Sequence, residues 1–159
     1  MNSSRFGLHK QDLIDVLEKH VFNSGGLVIA TDTTQAQTAN DVYYFIGGKL
    51  YKLAATDGLG EPDGTITDGY YNVFVQAVDS DGNVSIEMGT EAEALADVIF
   101  PVTPADEAVI GFIIVYTDGS NFVGGTTALT GGDVTVVYVN ATAPMRFSVP
   151  EASSAIDSD

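Results

Sequence analysis

The sequence predicts an α+β domain, mainly antiparallel β in a sheet or sandwich, with an N-terminal amphipathic helix and one or two short helices. Three observations lead there. Gly47-Gly48 separates two apolar runs, 41–46 and 49–54, and a two-residue glycine turn supplies the positive φ that hairpins need. Asp79-Ser80-Asp81-Gly82-Asn83 separates another pair, 70–78 and 84–88, in the same way. Strands joined by tight turns pair antiparallel. Near the start, Leu13, Ile14, Leu17 and Val21 recur at helical spacing, with Asp12, Asp15, Glu18 and Lys19 off that stripe.

The elements follow in order. A helix is expected over 10–22, stopped at Ser24-Gly25-Gly26, where glycine accepts the left-handed cap. Its apolar stripe either packs on its own domain or docks on a partner. Residues 27–31 form a short strand, and the Gly-Gly hairpin follows. Residues 56–68, rich in Asp, Gly and Pro, form a surface loop before the second hairpin. Thr90 precedes Glu93 by the capping-box spacing, so 90–97 is expected to be a short helix. Pro101 and Pro104 bracket a bend, and Thr103-Pro104-Ala105-Asp106 opens one more helical turn. Residues 108–116 are the most apolar run and so the central strand; Asp118-Gly119-Ser120 turns the chain, and 133–140 is the last strand. The division is an N-terminal helical arm, 1–26, a β-rich domain, 27–140, and an acidic, mobile tail, 141–159. No repeat of solenoid or propeller length is present.

Charge is distributed unevenly. Of 159 residues, 22 are Asp or Glu and six are Lys or Arg, a net charge of −16. No lysine or arginine lies between Leu53 and Met145, where fourteen of the acids stand. An anionic body of this kind repels its own copies and nucleic acid, because phosphate contacts need clustered cations. Disorder is excluded by the 45% hydrophobic content. No apolar run reaches membrane-spanning length, and Asp12, Asp15 and Glu18 interrupt any signal-peptide core.

No catalytic or cofactor motif emerges. There is no cysteine, hence no disulfide, thiolate metal site or cysteine nucleophile. Asp79-x-Asp81-Gly82-Asn83 alternates oxygen ligands, but its glycine is fourth rather than sixth, and Thr90 stands where the calcium loop needs glutamate. His9 and His20 are eleven residues apart, roughly three helical turns, too far to share one ion. No Gly-x-Ser-x-Gly turn and no Gly-Lys-Ser/Thr phosphate loop occurs. The acid pairs Glu61/Asp63, Glu91/Glu93 and Asp106/Glu107 are what so acidic a chain produces by chance. The expectation is a protein that is not an enzyme, with no metal and no cofactor.

Several segments carry a resemblance. Residues 42–57 (VYYFIGGKLYKLAATD) resemble the opening hairpin phrase of tailed-bacteriophage virion proteins. Residues 71–84 resemble their next strand and Asp-Gly turn. Residues 104–113 (PADEAVIGFI) and 122–129 (FVGGTTAL) are similar to two later phrases, in the same order along 40–140. The resemblance implies a virion structural protein of the head-decoration or fibre-like type, assembled in the host cytoplasm. The expectation is a capsid decoration (cement) protein on the capsid surface. Its partner would be the major capsid protein or another virion protein, docked through Arg5, Phe6, Lys10, Leu13, Leu17 and Val21. The alternative is a tail or head fibre component that binds a host-surface glycan through tyrosines such as Tyr43, Tyr44, Tyr70 and Tyr71. The runs 109–116 and 134–139 are apolar at nearly every position, so both faces should be covered; a homo-oligomer is expected, the competing explanation being a two-layer sandwich within one chain. The resemblance makes that oligomer a trimer.

Overall fold

The computed structural model describes residues 19–142, and these are mostly antiparallel β. Strands β1 (Lys19–Val21), β4 (Val42–Ile46) and β5 (Lys49–Leu53) form one sheet in the order β1-β4-β5. Strands β7 (Tyr71–Val78), β8 (Val84–Met88), β9 (Ala108–Thr117) and β11 (Val134–Asn140) form the main sheet, in the order β11-β9-β7-β8. Two small ribbons complete the described residues: β2 (Leu27–Ile29) with β3 (Ala36–Thr38), and β6 (Thr65–Ile66) with β10 (Phe122–Val123).

The α+β expectation is corrected: no α-helix occurs among the described residues. Residues 10–18 of the expected arm lie outside them. Its last part, Lys19–Val21, is a strand paired Lys19↔Ile46, His20↔Phe45 and Val21↔Tyr44. Residues 19–22 alternate as well as they fit a helix, and the open edge of β4 supplies partners for their backbone groups. The helix expected over 90–97 is also absent. Thr90 bridges Ile99 and Ala92 bridges Tyr71, leaving one 3-10 turn at Leu95–Asp97. Glu93, the capping-box acid, instead accepts from the Tyr70 hydroxyl at 3.0 Å, and the Glu91 carboxylate accepts from the Thr67 N–H and hydroxyl, both at 2.8 Å. Tertiary partners outcompete the capping box. At 103–106 the chain makes a single turn, with the Glu107 N–H donating to the Pro104 carbonyl.

Both hairpins are where the turn chemistry puts them. Gly47 and Gly48 have φ of 57° and 84°, as the tight turn between β4 and β5 requires. In the second turn, Asp79 Oδ1 accepts from the N–H groups of Asp81 (2.8 Å) and Asn83 (2.9 Å), while Oδ2 accepts from Asn83 Nδ2 (2.9 Å). Hydrogen bonds from Asn83 hold the Asp79 carboxyl below the usual carboxylate range. A depressed carboxylate contributes stability above its unfolded pKa and loses it as pH falls through the folded one. The gap in melting temperature between the wild type and Asp79→Ala is therefore expected to be full at neutral pH. It should close as pH drops below about 4; a gap constant to pH 2 would contradict the assignment.

β7 is buried along nearly its whole length because the chain covers both of its faces. On one side Phe74 joins Leu27, Leu59, Ile66, Ile113, Val115, Phe122 and Leu129. On the other, Val75 and Ala77 join Val21, Val42, Tyr44, Ala108, Val109 and Ile110. Of the two covers expected for 109–116, a neighbouring copy or a second layer of the same chain, the chain itself supplies much of the cover. Gly111 sits where β9 passes β11, and an added Cβ there would collide with the Val139 carbonyl and press on Leu27. Backbone cannot yield as a side chain can. Gly111→Ala is expected to cost about 2–3 kcal/mol in denaturant unfolding; a cost below about 0.5 kcal/mol would show that the sheet absorbs the methyl.

Candidate docking surface

The three-stranded sheet has two unlike faces because side chains alternate along each strand. Val21, Val42 and Tyr44 point inward and are at most 2% exposed. Tyr44 stacks on Tyr51 at 5.5 Å, and its hydroxyl donates to the Asp79 carbonyl at 2.9 Å. That alternation sends His20, Phe22, Tyr43, Phe45, Leu50 and Lys52 outward.

The outward set is apolar, aromatic and cationic. His20 lies edge-on to Phe22 at 4.7 Å, and Phe45 lies 5.8 Å from His20 and 6.4 Å from Phe22. Leu50 stands opposite Phe45 and Lys52 opposite Tyr43. Yet Phe22 is 54% exposed and Leu50 65%. The backbone beneath is fixed: Phe22 N–H donates to the Tyr43 carbonyl, and Asn23 bridges the Tyr43 N–H and the Asp41 carbonyl. Phe22, Tyr43 and Leu50 are held in place with little covering them, while His20 and Phe45 are half-buried between them.

Every lysine among the described residues belongs to this sheet: Lys19 on β1, Lys49 and Lys52 on β5. Lys52 Nζ pairs with Asp41 at 2.7 Å and lies 5.9 Å from the Tyr43 ring centroid. The hydrogen bond to Asp41 raises the lysine pKa, and the same bond, then one from the Ala55 N–H, lowers that of Asp41. Lys19 Nζ donates to the carbonyls of Pro104 and Ala105 at 3.0 and 2.7 Å, tying β1 to the turn before β9. Sixteen acids are spread over the same described residues. By the alternation only Lys52 shares the aromatic face, paired there with Asp41, while Lys19 and Lys49 stand opposite Ile46 on the side of Val42 and Tyr44. The face is therefore aromatic, with all the described lysines on its sheet but only one of them among the rings.

The sequence-expected docking residues fall differently. Arg5, Phe6, Lys10, Leu13 and Leu17 lie outside the described residues. Val21 is buried at 2% and faces Tyr44 across the sheet, so it is a core residue and not a contact. Phe22, Phe45 and Leu50 are not singled out by the sequence reading, and His20 enters it only beside His9, although the period-two alternation of 19–22 carries the signal. Among the tyrosines considered for glycan stacking, Tyr44 is removed by burial. Tyr71 stacks on Tyr116 at 4.4 Å, Tyr70 donates to Glu93 at 3.0 Å, and Tyr43 is exposed. Among the described residues no group of three or more His, Asp or Glu side chains could hold a metal ion, and no helix is long and apolar enough to cross a membrane. No protein-family model, curated protein or solved structure matches the chain.

Proposed function

We propose that this chain is a virion structural protein of a tailed bacteriophage, a capsid decoration protein that docks on the head lattice through the outer face of β1-β4-β5. The observation that carries it is the segregation just described. Large apolar side chains fixed on a rigid sheet and left open mark an interaction surface. Exposed aromatic and aliphatic anchors fit a protein surface with apolar pockets, and the sheet that carries them holds every lysine among the described residues, which favours an acidic partner. The acidic remainder faces solvent, where like charge keeps crowded copies apart. The sequence phrases that resemble those of phage virion proteins support the same reading.

Purified protein added to particles lacking it is expected to co-sediment and to saturate at a fixed ratio to the major capsid protein. Binding only to tails, or to host cell-wall fragments in place of particles, would transfer the assignment to the alternative, a fibre component that recognises a host-surface glycan.

A further inference from the structure

The Val73–Val75 face of the main sheet changes character from one edge to the other. Val73, Ile114 and Val137 stand opposite one another across β7, β9 and β11, as do Val75, Phe112 and Val139. Val73 and Val75 are each 1% exposed, Ile114 and Phe112 partly covered, and Val137 is 49% exposed. The cover comes from β1 and β4, whose Val21, Val42 and Tyr44 cluster with Val75, and from the segment after β8. Gly89 lies between Val73 and the Ile99 carbonyl, and Phe100 packs edge-on to Phe112 at 4.9 Å. It thins toward β11.

β11 is also an edge strand without the usual guards. Among the described residues, 135–139 have no backbone partner besides β9. Natural edges are blunted by charge, proline or a bulge. β11 reads VTVVYVN, with none of these, and pairs with β9 without a register shift. The opposite edge, β8, presents exposed Glu87, the one charged residue in the four strands of this sheet.

We propose that β11 pairs antiparallel with β11 of a second copy, about a two-fold axis at Val137. Charge selects this occupant. Two chains of −16 repel over most of their surface, but at this strip no carboxylate meets another. The strand is self-complementary: Thr135 falls opposite Val139, Val136 opposite Tyr138, and Val137 opposite itself. Pairing unites two four-stranded sheets into one of eight and covers the exposed Val137 row. A seven-residue strand offers a strip of only about 24 Å, at the small end of specific interfaces, so the dimer is reversible and concentration-dependent. A two-fold pairing replaces the threefold preference, since Glu87 discourages the β11-to-β8 contact that a ring needs. This inference is independent of the docking face on β1-β4-β5.

The absence of cysteine makes the test direct. In the full chain, Val137→Cys places two thiols opposite each other, with Cα atoms within the roughly 4.4–6.8 Å that a disulfide spans. Under mild oxidant it is expected to form covalent dimer at least about tenfold faster than Leu50→Cys, an exposed control on β5 in the other sheet. Wild-type protein should sediment as a monomer–dimer equilibrium that Val137→Lys shifts to monomer without changing its melting temperature. Equal cross-linking of the two cysteine variants, or a wild type that stays monomeric at several hundred micromolar, would overturn the proposal.

Discussion

Phe74→Ala is expected to remove about 3–5 kcal/mol of stability, a large share of the roughly 5–15 kcal/mol that holds a domain of this size. Phe74 is wholly buried and its ring lies 5.8 Å from that of Phe122. Through Phe122 it joins the β6-β10 ribbon to the main sheet, and through Ile113 it joins β7 to β9. Truncation leaves a cavity lined by four different elements, none of which is free to collapse into it. Urea unfolding followed by circular dichroism measures the loss. A cost below about 1 kcal/mol would mean that the two sides of the core are not coupled through this ring.

Phe22→Asp combined with Leu50→Asp should leave the fold intact and reduce attachment to capsids roughly 100-fold, about 3 kcal/mol. Both side chains are more than half exposed, so neither contributes much to folding. Each change also puts a carboxylate on this face against an acidic partner surface, adding repulsion to the lost apolar contact. Unchanged thermal melting with lost co-sedimentation is the expected pair of results. Attachment equal to wild type would move the contact elsewhere on the molecule.

The two results differ in how far their residues were legible in the sequence. Hairpins β4–β5 and β7–β8 could be read directly, because Gly47-Gly48 and the Asp79–Asn83 turn determine their own geometry locally. The centrality of β9 was visible in its apolar run. Local pattern failed where the outcome depends on distant partners. Residues 19–22 satisfy a helical stripe and a strand alternation equally, and the edge of β4, more than twenty residues later, decides between them. Thr90 and Glu93 carry a capping box, yet Glu91 and Glu93 bind Thr67 and Tyr70 instead. The lysine asymmetry was plain in the composition. The aromatic face on the same sheet was not, because it requires β1 and β5 to flank β4 and put His20, Phe22, Phe45 and Leu50 on one side. The continuous apolarity of 109–116 and 134–139 looked alike in sequence. Only the three-dimensional cover distinguishes the enclosed strand from the exposed edge.

The central claim is that this acidic β protein decorates a phage head by its lysine-bearing aromatic sheet. A density map of capsids reconstituted with the purified protein tests it most directly. The expected map has one protein density at each equivalent lattice position, with the β1-β4-β5 face against the capsid and the acidic surface outward. Density confined to the tail, or lattice density with that face turned to solvent, would contradict it.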